Sequence, residues 1–150
     1  MRHVHFHLVR WQRIALYLTG AVLLASGATW LAVHYSIGAG AGELPHPIES
    51  WCLRVHGLAA TGALFVFGAI AASHIPHGWK LARRRGWASQ RLYGIGLSAC
   101  ATLLALTGYA LYYFAPEGVR PALGWVHAGI GVLMIAFLVP HRLGQHGTGK

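Results

Sequence analysis

Four histidines, His56, His74, His127 and His141, lie within or at the ends of long apolar runs. An imidazole in such a setting is costly unless it is paired or ligates something, so each is a candidate functional group. His127 and His141 are fourteen residues apart on one apolar segment. Steps of about 100° leave them only ~40° out of phase on a helix. Helical rise sets them ~21 Å apart, near the two ends of a bilayer core of about 30 Å. His56 and His74 are eighteen apart, five whole turns, and project from one face of their own helix. Neutral imidazoles at two depths on two helices are ligands for a metal; the bland alternative is histidines wetted by lipid headgroups.

Composition names the solvent of those helices. The 150 residues are 55% hydrophobic and 10% charged, and the mean hydropathy is +0.49, values of an integral membrane protein. A formal net charge of +9 raises the question of nucleic acid. The basic residues, however, stand in short blocks between apolar runs and form no amphipathic face, so no nucleic-acid partner is expected. Cys52 and Cys100 are isolated, which excludes a Cys-x-x-Cys-His attachment and any zinc spacing. Both read as small packing residues.

The spacing predicts four spanning helices, at about 14–34, 50–75, 92–114 and 122–141, in one membrane domain covering residues 1–150. The tail 1–13 alternates His3, His5 and His7 with basic residues and reads as a solvated basic tail, with transition-metal binding as the sharper alternative. The apolar run after it is too long for a signal peptide and is expected to be an uncleaved first span. Gly38 to Gly42 with Pro45 and Pro47 break the first span from the second. Pro76-His77-Gly78 is expected to end the second, and Pro116 with Gly118 separates the third from the fourth. Residues 142–150 form a polar tail. Ten of the twelve Lys and Arg fall on the side that holds both tails and the loop rich in arginine. The positive-inside rule therefore places both termini in the cytoplasm. The fold class is all-α, an antiparallel up-down membrane bundle of four helices, with lipid around it and no internal repeat visible.

This topology sorts the histidines by depth. His56 and His127 share the outer level, and His74 and His141 share the inner one. Two helices with two histidines each, paired by level, suit two haem irons, each held by imidazoles from opposite sides. Gly57, Gly129 and Gly131 keep side chains away from a flat macrocycle, although small residues are common wherever membrane helices pack. Arg54, and on the inner side Arg91 or Arg142, are candidate partners for haem propionates.

These residues resemble the four-helix di-haem cytochromes b of bacterial inner membranes, which exchange electrons with the quinone pool. The likeness covers the topology of the whole chain. Its specific part is Trp125-x-His127 with His141 following, and His56-Gly57 early in the second helix. It implies two non-covalent haems b, His56 and His127 on the outer one, and His141 on one side of the inner. It further implies an electron-transfer subunit of a membrane oxidoreductase, quinol-oxidising or quinone-reducing, with another redox protein as partner. The family's remaining ligand comes from the cytoplasmic end of the first helix. Here that level holds Arg10, Trp11, Gln12 and Arg13. His74 is the replacement in phase with His56, and His7 and His77 are the alternatives. Quinone would be served at the outer side by His34, Tyr35 or Glu49. His46 is expected to do no more than pack its turn.

Two other functions fit parts of the pattern. A metal or proton transporter would use the same histidines as a relay, but the spans carry no mid-membrane carboxylate and no methionine-rich path. A haem-free structural or assembly subunit would make the matched depths of four histidines accidental.

Overall fold

Lipid offers no hydrogen bonds, so a spanning chain must satisfy its backbone within its own helices. The structure, a computed structural model, describes residues 8–85 and 88–143. They form helices α1 (Arg10–Ile37), α2 (Pro47–Arg85), α3 (Ala88–Tyr113) and α4 (Arg120–Leu143), with a short 3-10 turn at Ala39–Ala41. Each of the four is long and apolar enough to cross a membrane. Their burial is inverted relative to a water-soluble fold. Leu58 is 79% exposed and Phe65 74%, whereas Gln12 and Glu49 are each 6% exposed. Each large apolar side chain left in water would forgo about 1.5–3 kcal/mol, so a surface of this kind belongs in lipid.

The backbone gathers into two compact units that divide within α2, between Ala72 and Ser73. In the first unit α1 runs antiparallel to α2, and its contacts recur at heptad-like spacing. Gln12 Nε2 donates to the Ala69 carbonyl at 3.5 Å. A Cβ on Gly62 would lie 3.4 Å from the Thr19 methyl. Ser26 then meets His56, and His34 meets Glu49. Steps of seven, seven and eight residues along α1 keep this polar stripe on one face, as in left-handed coiled coils. In the second unit α3 and α4 are likewise antiparallel. Gly94 faces His141, Gly96 faces Phe137 and Gly108 faces His127. Gly96 matters most for approach, since a Cβ there would stand 3.1 Å from three carbons of the Phe137 ring.

One helix end differs clearly from the sequence expectation: Pro76 does not end α2, which continues to Arg85. Helix α4 contains Pro140, as expected, and runs to Leu143. Proline deprives one carbonyl of its intrahelical donor, here that of Ala72. In an apolar setting one lost bond is cheaper than unwinding the turn and exposing several backbone groups. At the next residue along, the His77 ring Nδ1–H donates to the Ser73 carbonyl at 2.8 Å and reinforces this turn. At the other end, Gly42 adopts φ +87°, a left-handed conformation suited to glycine, and closes the 3-10 turn.

Candidate functional site

His56 lies in the first unit, with its ring against α1. Its Nδ1 is 3.0 Å from Ser26 Oγ. Ser26 is 8% exposed, and its hydroxyl donates to the Val22 carbonyl at 2.7 Å, the usual arrangement for a serine inside a helix. Gly27 makes room for the ring, because a Cβ there would stand 3.4 Å from His56 Cε1. Gly57, the next residue, borders open space with no heavy atom within 4 Å of where its Cβ would be. Two residues before His56 on α2, the Arg54 guanidinium lies 5.2 Å from the Trp51 ring centre, a cation–π contact.

His127, in the second unit, repeats this arrangement. Its Nδ1 is 2.8 Å from Thr107 Oγ1, and that hydroxyl donates to the Leu103 carbonyl at 2.7 Å. Gly108 takes the place of Gly27, again 3.4 Å from the imidazole Cε1 if it carried a Cβ. Gly129 and Gly131, further along α4, border open space as Gly57 does.

The second unit also brings His74 and His141 together, close enough for charge on one to act on the other. His141 packs toward α3, where it interacts with the Gln90 main chain and where Gly94 leaves it room. Its Nδ1 is buried without a hydrogen-bond partner. Arg142 follows it and is exposed. His77 turns back onto its own helix at Ser73. His7 lies outside the described residues. Arg91, offered as a propionate partner, lies 5.6 Å from the Trp79 ring centre.

The expected quinone residues do assemble, but around the loop. Glu49 Oε1 accepts the His46 N–H at 2.9 Å and the Ala39 N–H at 3.2 Å, and Oε2 pairs with His34 Nδ1 at 2.7 Å. His34 stacks on Trp30 at 4.4 Å and meets Tyr35 edge-on at 4.8 Å. His46 does more than pack a turn: its Nδ1 accepts the Ile48 N–H at 3.2 Å. His46, Pro47 and Glu49 therefore form a capping box with histidine as the cap and proline at the first helical position. Gly38 leaves free the space that the Glu49 carboxylate occupies. Oε1 thus holds the 38–46 connection, and Oε2 ties the start of α2 to the end of α1. Glu49→Ala is expected to cost about 1–3 kcal/mol, the penalty for donors left unpaired, and Glu49→Gln less. Thermal unfolding in detergent, followed by circular dichroism, measures the difference.

Ser26 and Thr107 are the site residues that sequence reading missed. Their signal was a hydroxyl beside glycine on each helix that precedes a histidine-bearing helix. Cys52 and Cys100 are free thiols, Cys100 buried on α3. Among the described residues, no three His, Cys, Asp or Glu side chains converge as metal ligands. No protein-family model matches the chain, and no curated protein or solved structure is significantly similar to it.

Proposed function

We propose that this chain is a membrane b-type cytochrome that carries electrons across a bacterial inner membrane through two bis-histidine haems b. It would exchange them with quinone or quinol and with a partner redox protein or subunit. The observation that carries this reading is the convergence of His74 and His141, two imidazoles from different helices, within apolar spans. Such a pair is expensive unless it shares a ligand.

The donor set fits haem. The porphyrin supplies four nitrogens and asks the protein for two, so pairs of histidines suffice where a protein-only metal site needs three or more ligands. The open faces beside Gly57, Gly129 and Gly131 leave room for a flat ring. His74 with His141 would hold the inner haem. His56 with His127 would hold the outer one, a pairing that rests on the order of the spans in the sequence. Arg54 and Arg142 would serve the propionates at the two levels. When bound, haem iron supplies a one-electron couple, and the apolar spans keep water away from it. Both termini would face the cytoplasm, following the basic loops. Glu49 would hold the outer loop in place whether or not quinol binds beside it.

The test is a reduced-minus-oxidised spectrum of the detergent-purified protein with a pyridine haemochrome assay. Two haems b per chain are expected. A colourless protein from a haem-replete host would overturn the reading and leave the structural or transport alternatives.

A further inference from the structure

We infer that Ser26 and Thr107 are positioning residues that fix the tautomer of His56 and His127, presenting the Nε2 lone pair of each as the ligating atom. What that lone pair serves rests on the haem reading; the tautomer assignment does not.

The argument is a proton count. A hydroxyl has one hydrogen. In Ser26 it points at the Val22 carbonyl, 2.7 Å away, and in Thr107 at the Leu103 carbonyl, also 2.7 Å away. A carbonyl only accepts, so without that hydrogen each contact would set two oxygens against each other. The hydroxyl oxygen facing the imidazole is therefore an acceptor, at 3.0 Å from His56 Nδ1 and 2.8 Å from His127 Nδ1. Nδ1 must carry the proton in both rings. In a neutral imidazole this leaves the lone pair on Nε2.

The recurrence argues against chance. Thr19, Ser36, Thr61, Ser98 and Thr102 also donate to carbonyls of the preceding turn, so that habit alone does not bring an imidazole. Among the described residues glycine also follows Thr19 and Thr61, but only at Ser26 and Thr107 does it admit a histidine ring, at the same 3.4 Å clearance. The two units thus build the same device from different residues. A hydrogen bond on the far nitrogen also orients the ring and raises its basicity, as partners of ligating histidines do in metal sites.

Two measurements on the full chain test this. The first is the 15N spectrum of histidine-labelled protein from a haem-deficient host, in which Nδ1-protonated and Nε2-protonated rings have distinct shifts. His56 and His127 are expected as Nδ1-protonated in the wild type and in Ser26→Thr and Thr107→Ser. Ser26→Ala and Thr107→Val are each expected to give a mixture at the affected ring only. The second is a redox titration of the protein as isolated. Losing the hydroxyl is expected to weaken ferric relative to ferrous binding by about tenfold, raising one midpoint potential by about 59 mV. The hydroxyl-retaining variants should stay at the wild-type value. Nε2-protonated rings in the wild type, or equal potentials for Thr107→Val and Thr107→Ser, would overturn the assignment. A protein without haem but with Nδ1-protonated rings would sink the cytochrome reading and leave the tautomer device standing.

Discussion

His127→Ala protein is expected to carry one haem per chain where the wild type carries two, and to keep the spectrum of the remaining haem unchanged. On the haem reading, His127 would be one of two imidazoles holding that iron, so its removal would take away half of the protein's direct hold, and a single histidine would retain haem poorly through purification. The substitution should leave the hairpin folded. Thr107 keeps its bond to the Leu103 carbonyl, and the α3–α4 approach at Gly94 and Gly96 is set elsewhere. His56→Ala should lose the same spectral component, because the sequence topology assigns it to the same iron. Haemochrome quantitation against protein concentration reads both. Loss of different components from the two variants would show that His56 and His127 do not share a haem.

The second large effect is at the other pair. His74→Ala and His141→Ala are each expected to remove the component that His127→Ala leaves behind. Both rings lie in the second unit, near enough for charge on one to act on the other, and on the haem reading they would share one iron. Retention of both haems in His74→Ala, with loss of one in His7→Ala, would transfer the ligand role to the N-terminal tail. His77→Ala should lose neither, since that ring is engaged with the Ser73 carbonyl of its own helix.

Much of the fold was legible because apolar length and breaker residues report directly on spanning helices. Four spans were expected, and among the described residues four helices are long and apolar enough to cross a membrane. Their ends were less legible. Proline signals a helix stop in water, where the freed carbonyls are solvated, but at Pro76 the chain stays helical. The histidines were legible from periodicity, because phase on a helix follows from spacing alone. What each ring touches was not, since that depends on which face of a neighbouring helix arrives at the same depth. Ser26 and Thr107 illustrate the limit. They lie fourteen and seventeen residues after Gln12 and Gln90, each of which is the third residue of its helix. That difference of nearly one turn hides the correspondence between α1 and α3 from any search at fixed period. The capping role of His46 was hidden for another reason: histidine is an unusual residue for that position, although Glu49 three residues on was a readable sign.

The polar stripe between α1 and α2 has a consequence for how the hairpin moves. Gln12, Ser26 and His34 each meet an unlike partner, and Thr19 fits against a glycine. Sliding one helix past the other by a turn, about 5.4 Å, would break all four matches at once. Apolar helices in lipid otherwise have little to oppose such a slide, since one greasy surface packs much like another. The stripe therefore acts as a set of mismatched teeth. It makes axial position an all-or-none property of the hairpin, and so fixes the depth at which His56 stands.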